Sequence, residues 1–283
     1  MGGAGAAQAV AHPTRGRTDH PSPFRRYVFH LLGVPENSVD VITVPDTPYL
    51  PMAQALAEHN LLEPLRALVA ERPTARLLPT ALDEASAALA TDLRIPAVPY
   101  ETGIPSPGTL RAVAPMNTKS GFRTVAQSLG LRLPHGRAST GAELGQVTTA
   151  LPASHQRVVL KTDRSADGHG LHFVSHGDQP SHSPPPADSH WVVEEYVEHT
   201  RAISAQGHAN GYPGGGGMRW RDAHERRLMR RILLAPAGSA REGTRGADRL
   251  DPALGGHLAA EGYRGPGSLD LVCTQDGTLY ALE

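Results

Sequence analysis

The segment from Val158 to Val174 restricts the fold of this chain more than any other stretch. Two apolar runs, Val158–Leu160 and Leu171–Val174, flank a short polar segment with two glycines near its end. This pattern predicts two strands joined by a glycine-bearing turn. Lys161 stands at the root of the turn, where its charge can neutralise an anion held by backbone N–H groups. An ordinary hairpin with an exposed lysine explains the same pattern, so both interpretations stay open.

The chain contains very few lysines. Of its 27 Lys and Arg residues, the lysines are Lys119 and Lys161. Arginine replaces lysine well on a solvated surface but poorly where a compact point charge is needed, so both lysines are candidate functional residues. Lys119 falls in the first turn of a predicted helix that begins after an expected N-cap, Asn117. The helix dipole disfavours a cation there. A bound phosphate would explain the lysine, and an exposed helix lysine is the alternative.

The order of predicted elements divides the chain into sections. Strand and helix patterns alternate from the strand Val39–Val44 onward, which predicts a small α/β unit with parallel strands over about residues 24–114. Residues 1–23 lack the apolar core of a signal peptide and are predicted to be a disordered leader. A new section begins at Pro115 and continues to the end of the chain.

Charge and composition exclude several classes of partner. The formal net charge is −1, which gives no reason to expect a nucleic acid or an anionic membrane surface as partner. No apolar run approaches the ~20 residues of a membrane span. The single cysteine, Cys273, excludes an internal disulfide and fits the cytoplasm. It alternates with apolar residues of a strand, so we expect a packed core thiol rather than a nucleophile.

The end of the chain predicts a hairpin that pairs two carboxylates. Asp276-Gly277 between two alternating runs is a strong two-residue turn signal. That turn would set Asp270 opposite Glu283 as a non-hydrogen-bonded pair, with Cα atoms only ~4.5 Å apart. Two such carboxylates repel unless a divalent cation lies between them, and oxygen ligands suit Mg²⁺. The alternative is that Glu283 extends into water.

A cluster of histidines near the glycine turn is a weaker metal candidate. Its spacing is loose for zinc and no cysteine accompanies it. The three residues are His169, His172 and His176.

Four features, taken in chain order, resemble the ATP-grasp superfamily of carboxylate–amine ligases. They are the lysine at a helix start, the strand–lysine–glycine loop–strand segment, the apolar strand ending in Glu194-Glu195-Tyr196-Val197, and Gly-Ser-Leu-Asp270 followed thirteen residues later by Glu283. The preceding α/β unit resembles a pre-ATP-grasp domain. Residues 115–123, followed by 130–134, are similar to pheganomycin-type peptide ligases.

The resemblance implies a fold and a set of residue roles. The fold is α/β (α+β), with a pre-ATP-grasp α/β unit at 24–114 and a two-lobed ATP-grasp domain with antiparallel sheets at 115–283. Lys119 and Lys161 would contact ATP phosphates, and Mg²⁺ would bind Asp270 and Glu283. The loop Ser165–Gly170, which includes Gly168 and His169, would fold over the β- and γ-phosphates. The carboxylate of Glu194 would accept a hydrogen bond from the adenine amino group. The backbone of Glu195 and Val197 would contact the edge of the adenine ring.

Three departures from the family pattern affect these roles. Arg201 stands where related ligases often have a ribose-binding glutamate, and Ser268 where some have an arginine that steadies the tetrahedral intermediate. The family also places a metal-binding asparagine two residues beyond Glu283, so we expect a truncated C-terminal end and a chain that is a poor catalyst. Three arginines are alternatives for the missing one, namely Arg230, Arg231 and Arg264.

The activity implied by the resemblance is ATP-dependent formation of an amide bond through an acyl phosphate. The substrates would be small-molecule or peptide carboxylates and amines, and the subfamily suggests peptide natural-product biosynthesis. The alternatives are a catalytically impaired nucleotide-binding or docking module and a phosphotransferase with a similar lid. The sequence leaves open which acid and amine react and which oligomer forms.

Overall fold

The computed structural model describes residues 8–14, 23–33, 35, 39–45, 50–100, 103–150, 156–165, 170–175, 185–209, 219–226 and 247–283. The chain divides into two compact units. The first contains residues 1–77 and 85–95, and the second contains residues 78–84 and 96–283. The domain limits that we drew from the sequence stay a prediction.

The elements are numbered here in chain order. The helices are α1 Pro23–Leu32, α2 Met52–Glu58, α3 Leu62–Ala70, α4 Glu84–Leu93, α5 Pro107–Val113, α6 Lys119–Ser128, α7 Leu144–Ala150 and α8 Ala247–Ala260. The strands are β1 Gln8–Thr14, β2 Val39–Pro45, β3 Gly136–Thr140, β4 Arg157–Thr162, β5 Leu171–Ser175, β6 His190–Glu195, β7 Arg201–Ala209, β8 Arg219–Arg226, β9 Gly265–Cys273 and β10 Leu279–Ala281.

The first unit is built on a pair of parallel strands. β1 pairs with β2, in register from Gln8 opposite Val39. Strand β1 lies inside the segment for which the sequence predicts a disordered leader, so that expectation is wrong for residues 8–14. Val44 of β2 is buried and packs with apolar side chains of α2 and α4, including Leu56 and Leu89. Helix α2 follows β2 directly, as the alternation of strand and helix patterns predicts.

The second unit contains a four-stranded antiparallel sheet, which we call the lysine sheet because it carries Lys161. Its strand order is β3-β6-β4-β5. The predicted pairing around the glycine turn is confirmed, since β4 and β5 are antiparallel neighbours with Lys161 opposite Leu171. One face of the sheet buries Val158 and Val193 against Val147 of α7. Because side chains alternate along a strand, Lys161 belongs to the other face.

A second four-stranded antiparallel sheet, the C-terminal sheet, has the order β10-β9-β7-β8. Its buried face includes Leu269, Leu271 and Cys273, which pack together with Phe122 and Ala126 of α6. Cys273 is a buried free thiol, as predicted. Helix α6 therefore packs its apolar side chains on the C-terminal sheet. Its polar side chains contact the lysine sheet, as described below.

The turn of the closing hairpin differs from the prediction. Leu279 lies opposite Cys273 and Ala281 opposite Leu271, so the register is shifted by one residue from the expected one. The loop has three residues and not two, because the N–H of Thr274 donates to the carbonyl of Thr278 across it. Gly277 has φ +84°, which suits the left-handed position of a three-residue hairpin loop. Asp270 therefore does not face Glu283 directly in the ladder.

The side chain of Asp276 stabilises this longer loop. Its carboxylate accepts hydrogen bonds from the hydroxyl of Thr274 and from the backbone N–H of Thr278. These two donors, the Thr274 hydroxyl first, lower the pKa of the exposed Asp276 carboxyl. A side-chain acceptor of this kind competes with the two-residue turn, and its effect is not visible from the dipeptide alone.

No helix within the described ranges has the length and apolar character needed to cross a membrane.

Gly136 of β3 lies against the backbone of β6. A Cβ atom at Gly136 would be 2.2 Å from the carbonyl oxygen of Val193 and 2.7 Å from Cα of Glu194. We expect Gly136→Ala to lower the free energy of unfolding by about 1–3 kcal/mol or more, since two paired strands would have to separate. The matched control is Gly145→Ala in α7, where a Cβ meets nothing within 4 Å.

That control is expected to stabilise the chain slightly, by about 0.5–1 kcal/mol, because alanine loses less backbone entropy in a helix. Urea denaturation of both variants checks the pair. Equal unfolding midpoints for the two variants would contradict the close strand contact at Gly136.

Candidate functional site

Lys161 lies at the carboxyl end of β4 and is buried. Its ammonium is 2.7 Å from Oε2 of Glu194, and the two side chains are 9% and 4% exposed. The register explains the contact, because Lys161 pairs with Val192 on β6 and Glu194 follows two residues later on the same face. The sequence alternative of an ordinary hairpin with an exposed lysine is therefore wrong for this residue.

Glu194 is shared by two cations. Its other carboxylate oxygen, Oε1, is 2.7 Å from Nη1 of Arg123 in helix α6. Strand β6 lies between β3 and β4, and Glu194 is buried. Glu194 is thus not a solvated acid on an edge strand. A buried carboxylate needs such partners, because an isolated charge in the interior is costly.

Lys119 is the second buried lysine. Its ammonium lies 2.6 Å from Oε2 of Glu283 and donates a hydrogen bond of 2.8 Å to the carbonyl of Ser165. Lys119 is only 6% exposed, so it is not a solvated helix lysine. Ser165 stands at the start of the glycine loop. The structure therefore brings three of the predicted site residues together.

The N-terminus of α6 is capped by protein groups. The hydroxyl of Thr118 accepts from the N–H of Gly121, so the N-cap is Thr118 and not the predicted Asn117. Asn117 ends a short 3₁₀ helix and donates its side-chain amide to the carbonyl of Leu82. The carboxylate of Asp163 accepts from the N–H of Ser120. This acid complements the positive end of the helix dipole, which offsets the unfavourable position of Lys119.

The predicted loop is described only in part. Ser165 and Gly170 lie within the described residues, whereas Gly168 and His169 lie outside them. Gly170 has φ +69° and directly precedes β5, and its carbonyl accepts from the N–H of Thr162. A Cβ at Gly170 would be 2.1 Å from Oγ1 of Thr162. Both the positive φ and the close approach therefore require glycine at this position.

The last residue of β6 is held by the segment before β3, and the chain just beyond it has a contact of its own. The N–H of Glu195 donates to the carbonyl of His135, and the N–H of His135 donates to Oε1 of Glu195. The carbonyl of Val197 lies 2.8 Å from Nδ1 of His199. The N–H of Glu195 is thus already used within the protein. The roles that the resemblance implies for Glu195 and Val197 stay predictions.

Asp270 and Glu283 are joined through the backbone. The N–H of Asp270 donates to the carbonyl of Glu283, and the N–H of Leu282 donates to the carbonyl of Asp270. The first bond holds the main chain of Glu283, and Lys119 contacts the carboxylate of its side chain, which is 41% exposed. The buried hydroxyl of Ser204, which is directly opposite Asp270 on β7, has no hydrogen-bond partner.

The carboxylates of Asp270 and Glu283 are ligands of the kind that suits Mg²⁺. Mg²⁺ is usually bound by one or two carboxylates together with the phosphates of a substrate, and it does not require a cage of protein ligands. The described residues contain no group of three or more His, Cys, Asp or Glu side chains that could hold a metal. Asp270 and Glu283 are therefore the pair we assign to the metal, as a prediction. Of the three histidines, only His172 is described.

The arginine that would steady a tetrahedral intermediate stays a prediction. Arg230 and Arg231 lie outside the described residues. Arg264 lies between α8 and β9, and its backbone N–H donates to the hydroxyl of Tyr100. Burial raises the pKa of Tyr100, and burial followed by the nearby Tyr100 raises the pKa of Tyr263 to about 12. Both phenols are therefore neutral at physiological pH, which leaves no phenolate base beside Arg264.

The sequence interpretation missed Arg123. The signal was present, because Arg123 follows Lys119 by four residues and positions i and i+4 share one face of a helix. Arg123 is 7% exposed, and its guanidinium also donates to the carbonyls of Pro134 and Gly136. Asp163, which caps α6, was missed as well. Nothing in its local sequence distinguishes it from other loop acids.

Comparison with known proteins supports the fold. Residues 18–95 match the sequence model of the Pre ATP-grasp domain. No curated protein sequence matches the chain. The similar solved structures include biotin carboxylase from Campylobacter jejuni, which is 15% identical with a TM-score of 0.62 over 97% of this chain and 58% of that one.

Two further structures, a synthetase and a ligase, are also similar. D-alanyl-alanine synthetase A from Vibrio cholerae is 13% identical, with a TM-score of 0.58 over 98% of this chain and 88% of that chain. L-amino acid ligase from Bacillus licheniformis is 15% identical, with a TM-score of 0.54 over 87% of this chain and 55% of that chain. The chain thus covers less than two thirds of the biotin carboxylase and of the L-amino acid ligase.

These likenesses show the fold. The chain has an α/β structure with antiparallel sheets and shares the fold of the biotin carboxylase and of these two enzymes, which agrees with the predicted fold class.

Proposed function

We propose that the chain is an ATP-dependent carboxylate–amine ligase. The observation that carries the proposal is the placement of its two lysines. Both are buried, both are ion-paired, and they are linked through α6 and β4, because the N–H of Lys119 donates to the carbonyl of Asp163, two residues after Lys161. Two ammonium groups beside a glycine loop form a site that suits the phosphates of a nucleotide.

The fold narrows the reaction that such a site would catalyse. Two of the similar structures are named L-amino acid ligase and D-alanyl-alanine synthetase A, which supports amino acids or short peptides as the acid and amine. The resemblance to pheganomycin-type peptide ligases agrees with this choice of substrate. The single cysteine is buried and unpaired, which is compatible with the predicted cytoplasmic location.

The proposed reaction has two steps. A carboxylate oxygen of the first substrate attacks the γ-phosphorus of ATP, and the bond to the β-phosphate oxygen breaks, so that ADP leaves and an acyl phosphate forms. The amine then attacks the acyl carbon, phosphate departs with the electrons of the broken C–O bond, and the amine releases a proton. The protein contributes mainly positioning and charge neutralisation, which are the main terms in phosphoryl transfer.

The chain's own residues would have separate tasks in this reaction. Lys161 and Lys119 would neutralise charge on the phosphates, and the fixed partners of each lysine hold it in place before the nucleotide binds. Asp270 and Glu283 would hold Mg²⁺, which when bound neutralises further phosphate charge. Glu283 would then exchange its contact with Lys119 for the metal.

A product assay tests the proposed function. The chain is incubated with Mg-ATP and a panel of amino acids and short peptides, and ADP, phosphate and new amides are measured together. We expect ADP and an amide in equal amounts with the correct pair. A stable phosphorylated product would instead indicate a phosphotransferase. Binding of ATP without any product across the panel would indicate a docking module.

Trypsin provides a prediction for the loop that does not require the substrates. Arg164 is exposed and directly precedes Ser165, whose carbonyl binds Lys119, so the Arg164–Ser165 bond is a trypsin site at the edge of the proposed phosphate site. We expect Mg-ADP to slow cleavage after Arg164, because phosphates held by the two lysines would order and cover this bond. Mass spectrometry of the fragments measures the rate of cleavage after Arg164. Cleavage after the exposed Arg137 is the internal control. Equal protection at both arginines, or none, would count against the site.

A further inference from the structure

Arg123 is the most completely bound cation of the candidate site, and the proposed function gives it no role. Its Nη1 donates to Glu194 at 2.7 Å. Its Nη2 donates to the carbonyl of Pro134 at 2.7 Å and to the carbonyl of Gly136 at 2.8 Å. Three acceptors on two different segments thus fix one planar guanidinium. Lysine could not reproduce this arrangement, because an ammonium lacks the rigid fork.

Glu194 contacts both Arg123 and Lys161, so the position of Lys161 depends on that of Arg123. One carboxylate oxygen binds Arg123 and the other binds Lys161. The approach of Gly136 limits the room for the glutamate, because a Cβ there would be 3.0 Å from Cγ of Glu194. The carboxylate is therefore fixed on both sides. An ammonium held by a fixed carboxylate has a defined position, whereas a lysine side chain alone has many rotamers.

The charges of this cluster do not cancel. Arg123 and Lys161 contribute two positive charges and Glu194 contributes one negative charge, all in side chains that are less than a tenth exposed. A buried cluster with a net positive charge is costly unless an anion approaches it. The arrangement thus favours a phosphate at Lys161. Each carboxylate oxygen of Glu194 is paired with a cation.

We propose that Arg123 is a positioning residue that fixes Lys161 for the nucleotide phosphates by holding Glu194. Through Lys161, Glu194 then serves the phosphate end of the site. This role is separate from the adenine contact that the resemblance implies for Glu194. The proposal depends on the proposed function, since it requires a nucleotide to bind at Lys161.

The rarity of lysine allows a direct measurement of the position of Lys161. Protein labelled with [¹⁵N]lysine contains two side-chain ammonium groups, those of Lys119 and Lys161. We expect Arg123→Met to shift the NMR signal of the Lys161 ammonium in the nucleotide-free protein and to leave the Lys119 signal in place. Lys161→Met identifies the signals. The matched control is Arg137→Met, which removes an exposed arginine of β3.

Nucleotide binding tests the consequence. We expect Arg123→Met to weaken ADP binding at least about tenfold, the effect of losing a well-placed charge-assisted contact. The double variant Arg123→Met/Lys161→Met should bind ADP as Lys161→Met alone does, because a positioning residue acts only through its target. IDP, in which oxygen replaces the adenine amino group, should lose affinity by the same factor as ADP.

The outcomes separate this proposal from the proposed function. If Lys161→Met leaves ADP affinity unchanged, the nucleotide assignment of Lys161 fails, and this proposal fails with it. If Lys161→Met weakens ADP binding and Arg123→Met does not, the proposed function stands and the role of Arg123 is wrong. The role is also wrong if the two losses multiply in the double variant, if the Lys161 signal does not move, or if ADP alone loses affinity.

Arg123→Lys covers the case in which Arg123→Met does not fold. It retains the charge opposite Glu194 but cannot reach all three acceptors at once. We expect its ADP affinity to lie between those of the wild type and Lys161→Met. Affinity equal to that of the wild type would show that the fork of Arg123 does not position Lys161.

Discussion

Lys161→Met is expected to weaken the binding of Mg-ATP at least tenfold. A buried, charge-assisted contact to a phosphate contributes ~1.5–3 kcal/mol, and 1.4 kcal/mol corresponds to a factor of ten in affinity. Methionine matches the length and apolar stem of lysine and removes only the ammonium. Isothermal titration calorimetry measures the change directly. An unchanged dissociation constant would remove the main support for a nucleotide at the end of β4.

The stability of this variant serves as its control. Without Lys161, Glu194 remains paired with Arg123 at 2.7 Å, so the buried cluster becomes neutral. We therefore expect Lys161→Met to fold and to unfold at nearly the same urea concentration as the wild type. A loss of binding with retained stability identifies a functional lysine, whereas a joint loss of both would point to a structural one.

Glu194→Gln is expected to lower the free energy of unfolding by about 3–5 kcal/mol. The substitution leaves two buried cations, Arg123 and Lys161, without the carboxylate between them. Removing one partner of a buried ion pair is costly because the remaining charge is uncompensated in a medium of low polarity. The side chains in question are all less than a tenth exposed, so solvent does little to screen them.

Urea denaturation measures this effect, with Glu198→Gln as the matched control. Glu198 is exposed and lies four residues after Glu194, so the same chemical change should cost less than about 0.5 kcal/mol there. Combining Glu194→Gln with Lys161→Met should recover part of the loss, since one of the two unpaired cations is removed. Equal effects of the two glutamine substitutions would show that the cluster is not buried in solution.

The two expected effects concern the same cluster of charged side chains but have different causes. The predicted loss of stability in Glu194→Gln depends only on the observed ion pairs. The same loss is expected even if the chain binds no nucleotide. The affinity of Lys161→Met depends on the proposed function. Helix α6 connects the two questions, because it carries Arg123 and Lys119 four residues apart and packs Phe122 and Ala126 into the C-terminal sheet.

Local patterns in the sequence determined most of the secondary structure around the site. The β-branched run before Lys161 and the run after Gly170 became the paired strands β4 and β5, because apolar residues flanking a glycine turn bury themselves best as a hairpin. The scarcity of lysine singled out Lys119 and Lys161, which are both buried, and their functional role stays a prediction. The pairing of β4 with β5 involves neighbours along the chain.

The tertiary structure decided which charged groups meet. Arg123 and Glu194 are 71 residues apart, and Lys119 and Glu283 are farther still, so no local spacing specifies either pair. The closing hairpin shows the same limit at short range. The dipeptide Asp276-Gly277 favoured a two-residue turn, but the side-chain bonds of Asp276 with Thr274 and Thr278 stabilise a three-residue loop. The shift of one residue that results changes which residue faces Asp270, because facing residues depend on register.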